Sequence, residues 1–148
     1  MVTEPTRTSA AGDSARADGP IAVAKKCYRA YVAKDRAAIE EVIADDFHFS
    51  SPLDNRIDRK TYFARCWPNS RRIRGFEFIY LVEDGDRVFV TYEGQGSGGK
   101  GFRNTEILTV RGGKLVEAEV YFGWSLPHEA RAGGTSPAGP PDRDRNAS

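Results

Sequence analysis

Four segments of alternating apolar and polar residues succeed one another in the second half of this chain, with little but turn residues between them. They are 76–82, 87–93, 102–110 and 115–124. The joints are Glu83-Asp84-Gly85-Asp86, a Gly-rich stretch over 94–101, and Arg111-Gly112-Gly113. Side chains alternate faces along a strand, and short joints of Gly and Asp favour hairpins, so the four segments predict an antiparallel sheet. Such a sheet has an apolar face that something must cover.

The cover is written earlier in the chain. Ile21, Ala24, Cys27, Tyr28 and Tyr31 recur at helical spacing after Pro20, predicting a first helix. Asp35 is placed to cap a second short helix with Ile39, Val42 and Ile43 on one face. Phe47 and Phe49 then alternate with His48 and Ser50 in a short strand. Asp58 is placed to cap a third helix, with Ile57 and Tyr62 as a hydrophobic staple, and Pro68 ends that helix near Trp67. Helices first and a run of strands afterwards give an α+β fold, with three N-terminal helices packed in a curved antiparallel sheet.

A chain of 148 residues is normally one domain. Residues 1–19 and 128–148 are rich in Ala, Gly, Ser, Asp and Pro and poor in large apolar residues, and are expected to be disordered tails. The net charge of +1 favours neither nucleic acid nor acidic partners. No apolar run approaches the ~20 residues that span a bilayer, and the N-terminus lacks the apolar core of a secretory signal. A cytoplasmic protein with no membrane partner is the expectation. Cys27 and Cys66 are far apart and read as small buried apolar residues rather than a disulfide framework. With two His, no metal-site spacing exists, and no cofactor is expected. Gly94 to Lys100 resembles a phosphate-binding loop, but a strand comes after it where a helix N-terminus is required, so it reads as a hairpin tip. Arg71, Arg72 and Arg74 form too small a cluster to argue for nucleic acid.

Several short stretches carry a likeness. They are Asp35-Arg36-Ala37-Ala38-Ile39, Ala44-Asp45-Asp46-Phe47, Ser51-Pro52, and Gly113-Lys114-Leu115-Val116-Glu117 running into Val120-Tyr121-Phe122. In this order they resemble the nuclear transport factor 2-like superfamily, and within it the SnoaL-like domains, which include polyketide-cyclase-like and ketosteroid-isomerase-like members. The resemblance assigns residues 20–127 to one such domain. It implies a conical α+β barrel with a deep small-molecule pocket between sheet and helices. It also implies a homodimer through the convex sheet face, which would carry Arg103, Thr105, Ile107, Thr109, Glu117, Glu119 and Tyr121.

In the isomerase-like members an aspartate base precedes the proline of the first strand, a tyrosine on helix one faces the oxyanion, and a carboxylic acid lies on a late strand. Ser51, Cys27 and Glu106 hold those places here by ungapped count. A serine hydroxyl is a poor proton acceptor without a neighbouring base, so steroid-type isomerisation is not expected. Glu106 keeps its chemical type and is the candidate catalytic residue. Buried among apolar groups it would have a raised pKa and serve as an acid, base or hydrogen-bond donor. The competing reading makes it part of a structural network with Asn104 and Tyr31.

Register decides whether Glu106 faces the pocket. A two-residue Gly112-Gly113 turn would set it against Glu119, an unfavourable like-charge pair. A three-residue Arg111-Gly112-Gly113 loop sets it against Ala118 and is the expected register. That choice groups Glu106 with Asn104, Leu108, Val110, Ala118, Val120, Phe122 and Trp124. The expected substrate-binding residues are Tyr31, Phe49, Ser51, Trp67, Asn104, Ala118, Phe122 and Trp124. Core packing competes for Trp67, Tyr28 reads as adjacent core, and His48 should point away from the pocket.

The function expected is cofactor-independent acid–base chemistry on a small, apolar, carbonyl-bearing metabolite, by cyclisation, isomerisation or dehydration. The alternatives are a non-catalytic ligand-binding or dimerisation domain, and epoxide-hydrolase-like water addition. The last uses an Asp-Arg-Asp grouping around a water, which the sequence does not place on the pocket face.

Overall fold

The computed structural model describes residues 2–3 and 19–136. Its elements are β1 (Val2–Thr3), α1 (Pro20–Ala33), α2 (Arg36–Val42), β2 (Ile43–Ser51), β3 (Asp54–Asp58), α3 (Arg59–Arg65), a 3-10 turn (Trp67–Arg72), β4 (Gly75–Asp84), β5 (Arg87–Gln95), β6 (Gly101–Arg111) and β7 (Lys114–Leu126). The expected helices and strands appear in the expected order, with β1 and β3 in addition. The expected tails lie outside the described residues except at 2–3, 19 and 128–136. Val2–Thr3 pair in parallel with Phe76 and Glu77, and 128–136 form bends and turns.

The helix ends reflect local chemistry. Pro20 opens α1, where its missing N–H costs nothing. The Asp35 carboxylate accepts the Ala38 N–H at 3.0 Å and that of Asp58 accepts the Thr61 N–H at 2.9 Å, each satisfying a donor the helix leaves open. α1 buries Ile21, Ala24, Cys27 and Tyr28, and Val23 and Ala30 as well, because the sheet lies on one side and α2 on another.

Among the described residues the sheet has seven strands in the order β1-β4-β5-β6-β7-β2-β3. β4 to β7 form the expected antiparallel meander. Two features differ from expectation. β2 joins β7 in parallel, and β3, a strand not expected from the sequence, closes a hairpin with β2 across Pro52 and Leu53. The helices pack within the curve of this sheet. The core lies between them, with Phe47, Ile21, Ile39, Leu81, Leu108, Val88 and Val90 almost wholly buried.

The β6–β7 register corrects the expected one. Arg111 pairs with Lys114 around a two-residue Gly112–Gly113 turn, and both glycines have positive φ (59° and 76°) as a mirror-image hairpin turn requires. A bulge at Val116 then shifts the pairing, so Glu106 faces Val120 rather than Ala118 or Glu119. The expected and observed pairings lie one residue on either side of the plain two-residue register. Both therefore put Glu106 on the same face as Ala118, Val120 and Phe122.

A second bulge, at Gly123, reverses the face on which the next residues of β7 point. Asn104 pairs with Phe122 but Arg103 pairs with Trp124, so Trp124 turns outward. It is 42% exposed, with the Arg103 guanidinium 5.5 Å above its ring and the His128 ring 5.5 Å away and tilted by 47°. Trp124 is thus removed from the pocket set.

Candidate active site

α1, α3 and the inner faces of β2, β5, β6 and β7 enclose a cavity of about 340 Å³, within the range of small-molecule sites. Of the residues expected to line it, Tyr31, Phe49, Ser51, Asn104, Glu106, Ala118 and Phe122 are on its wall. Trp67 is not. It packs edge-on behind Tyr31 at 5.0 Å and against Phe63 at 6.4 Å, so it supports the wall without forming it. His48 is not on the wall either, as strand alternation from Phe47 and Phe49 requires.

Glu106 lies on the cavity wall beside Tyr28 and Tyr92, each about 5% exposed or less, and we call this buried end the floor. Burial pushes its carboxyl up to about 7, even though the Tyr92 and Tyr28 hydroxyls favour the charged form. Part of its surface stays open to the cavity. A carboxyl of this kind is divided between neutral and ionised forms near pH 7, so it can either give or take a proton.

A short run of hydrogen bonds lies beside it. The Gly123 N–H donates to Asn104 Oδ1 at 3.2 Å, which turns Asn104 Nδ2 toward the Tyr92 hydroxyl at 3.5 Å. The Tyr92 oxygen accepts there, and the hydroxyl lies near enough to Glu106 to favour its charged form. Asn104 therefore positions Tyr92. The Tyr28 hydroxyl is near enough to bias Glu106, yet makes no hydrogen bond of normal geometry and is buried. Its ring is fixed by Phe76, Phe78 and Tyr92 at centroid distances of 5.1 to 5.4 Å.

Two of these groups, Tyr28 and Tyr92, are not marked as functional by the sequence. Helical spacing makes Tyr28 adjacent core, and the count along helix one sets Cys27 in the place of the tyrosine. Both residues reach the cavity wall. The signal for Tyr92 is the alternation of Val88, Val90 and Tyr92 against Phe89, Thr91 and Glu93. The structure buries the first set. The Cys27 thiol is pushed far up by burial and by the charge of Glu106, and burial pushes Cys66 up to about 12. Neither is a thiolate nucleophile at neutral pH. On the far wall the hydroxyls of Tyr31 and Tyr62 are hydrogen-bonded to each other, and the Tyr62 ring packs on Phe47 at 5.1 Å and Phe49 at 5.3 Å.

The other end of the cavity, its rim, is polar. The two-residue turn Pro52–Leu53 puts Asp54 directly opposite Ser51, so both point to the same side. Ser51 Oγ donates to Asp54 Oδ2 at 2.8 Å, and Arg65 Nη2 lies 3.2 Å from Asp54 Oδ1. Leu53 and Arg65, 41% and 60% exposed, mark this end as the side toward solvent. Asp54 is not legible as a site residue when the strand is taken to end at Pro52. Among the described residues, no three His, Cys, Asp or Glu side chains gather as a metal ion would need, and no helix is long and apolar enough to cross a membrane.

The family model for the SnoaL-like domain matches residues 24–118. No curated protein matches the chain. Solved structures do. A protein from Kribbella flavida is 20% identical over 73% of this chain and 88% of its own, with a TM-score of 0.64. A second K. flavida protein, provisionally assigned as a ketosteroid isomerase, is 15% identical over 86% of each chain, with a TM-score of 0.59. An epoxide hydrolase from M. tuberculosis is 20% identical over 70% of this chain and 82% of its own, with a TM-score of 0.58. At these identities the likeness establishes the fold and leaves the reaction to the residues of the cavity.

Proposed function

The chain belongs to the SnoaL-like domain family of the nuclear transport factor 2-like superfamily, and from that premise we propose that its cavity takes a small, mostly apolar metabolite bearing a carbonyl group. Glu106 acts on that carbonyl as acid or electrophile, without a cofactor. The observation that carries this reading is the placement of one carboxyl at an apolar floor, between two tyrosine hydroxyls and open to the cavity. Neutral Glu106 donates a hydrogen bond to the carbonyl oxygen. As negative charge develops on that oxygen the bond strengthens, and the proton can pass across with the O–H bond of Glu106 breaking as the new O–H bond forms. Tyr92, held by Asn104, and Tyr28 then stabilise the carboxylate left behind. Cyclisation, isomerisation and dehydration next to a carbonyl all pass through this developing charge.

The test is whether binding of a simple ketone tracks the protonation of Glu106. Acetophenone should bind wild-type protein more tightly below pH 7 than above it. A binding domain without turnover is the competing reading, supported by Ser51 and Cys27 at two positions where isomerase-like members carry catalytic groups. A ligand that co-purifies unchanged from the native host, with no product formed on incubation, would favour it.

The assembly proposed is a homodimer through the outer sheet face. Tyr80, Thr91, Thr105 and Tyr121 lie opposite one another across four strands, with Val82, Phe89, Ile107 and Glu119 as the next row, and the Tyr121 hydroxyl donates to Glu119 at 2.8 Å. Tyr80 and Tyr121 are 57% and 52% exposed, and the two threonine hydroxyls bond each other at 2.8 Å, leaving aromatic surface outward. Tyrosine-rich patches of this kind suit interface centres. Sedimentation velocity should show a dimer that the double variant Tyr80→Glu, Tyr121→Glu converts to monomer. A monomeric wild-type protein would remove the proposal.

A further inference from the structure

The rim of the cavity holds a carboxylate that the floor chemistry leaves unused. The Asp54 side chain is only 9% exposed. Its Oδ2 accepts the Ser51 hydroxyl at 2.8 Å, while Ser51 Oγ accepts the Leu53 N–H at 3.0 Å. Ser51 thus uses its proton to fix Asp54 while it remains on the cavity wall. Asp54 Oδ1 is buried and has no hydrogen bond. Arg65 Nη2 is 3.2 Å away but not aligned to donate, and the arginine side chain is 60% exposed.

A buried carboxylate oxygen with no hydrogen bond is costly, and native structures keep such groups for a reason. An arginine mostly in water holds it weakly and loses little by turning outward. Ionised Asp54 can only accept hydrogen bonds, whereas neutral Glu106 at the floor can donate one. The cavity therefore offers a donor at the floor and an acceptor at the rim, with Phe49, Tyr62 and Phe122 among its aromatic lining.

We propose that Asp54 is a ligand-binding residue that accepts a hydrogen bond from a hydroxyl or amino group at the end of the ligand remote from its carbonyl. The substrate class narrows accordingly from ketones in general to hydroxy- or amino-carbonyl compounds. A plain ketone would leave Asp54 Oδ1 desolvated and without a hydrogen bond, and so bind less well. The inference rests on the proposed role of Glu106 at the floor.

The test compares ketones that differ only by a distal hydroxyl, acetophenone with para-hydroxyacetophenone and tetralone with its para-hydroxyl analogue, by calorimetry at about pH 6, where Glu106 is largely neutral. The hydroxyl should improve binding to wild type by roughly tenfold, the scale of a hydrogen bond to a charged group. The ratio should fall toward one in Asp54→Leu and partway in Asp54→Asn. Equal affinity of the paired ketones for wild type would overturn the rim assignment and leave the floor reading standing. A hydroxyl advantage that survives in Asp54→Leu would overturn it too. Acetophenone binding that ignores pH would overturn the floor reading instead, and failure of every ketone to bind would overturn both.

Discussion

Replacing Glu106 with glutamine stabilises the fold above neutral pH and changes little at pH 4.5. The folded-state carboxyl titrates near 7 against an ordinary value of 4.5. Below 4.5 it is protonated in both folded and unfolded chains, and burial carries no charge. Between the two values the unfolded chain ionises while the folded one keeps its proton, so stability falls as pH rises. Above 7 the whole penalty is present, roughly 3 kcal/mol from the size of that displacement. Glutamine keeps the shape and never ionises. Urea unfolding at pH 4.5 and at about pH 8 measures the effect as a gain for Glu106→Gln at the higher pH alone. A gain of equal size at both would mean that the carboxyl is not ionising in a buried site.

Gly123→Ala should cost about 2–3 kcal/mol, at the upper end of overpacking penalties. A Cβ at this position would meet the Arg103 carbonyl oxygen across the bulge, and that oxygen is backbone, so it cannot rotate away. The site suffers with the fold, because the Gly123 N–H anchors Asn104 Oδ1 and through it Tyr92. Urea unfolding of the variant checks the cost, and a stability equal to wild type would contradict the tightness of the bulge.

These two residues also mark how far the sequence can be read. Helix caps at Asp35 and Asp58 and the hairpin joints are legible because each depends on a few adjacent residues. So is the inward face of Glu106, since parity survives any register error of two. The register itself is not legible. It depends on an extra residue at Val116, which no local composition marks. Trp124 is misplaced for the same reason, since alternation from Phe122 holds only until the chain bulges at Gly123. Trp67 cannot be assigned from sequence because a tryptophan behind a wall and one on it have the same helical spacing. Tyr28 and Asp54 are hidden because the resemblance marks their near neighbours in the chain, Cys27 and Ser51. The hydroxyl and carboxylate missing at those places are present one and three residues further along.

That displacement leaves the protonated Glu106 carboxyl as the central claim, and acetophenone binding as a function of pH tests it most directly. Calorimetry on wild-type protein and Glu106→Gln from about pH 5.5 to 8.5 would be compared. Glutamine still donates a hydrogen bond but cannot ionise, so it separates the charge from the shape. Wild-type affinity should fall by about tenfold or more across this range, tracking the loss of the Glu106 proton near 7, while the glutamine variant stays flat. A flat wild-type profile, or the same slope in both proteins, would contradict the account.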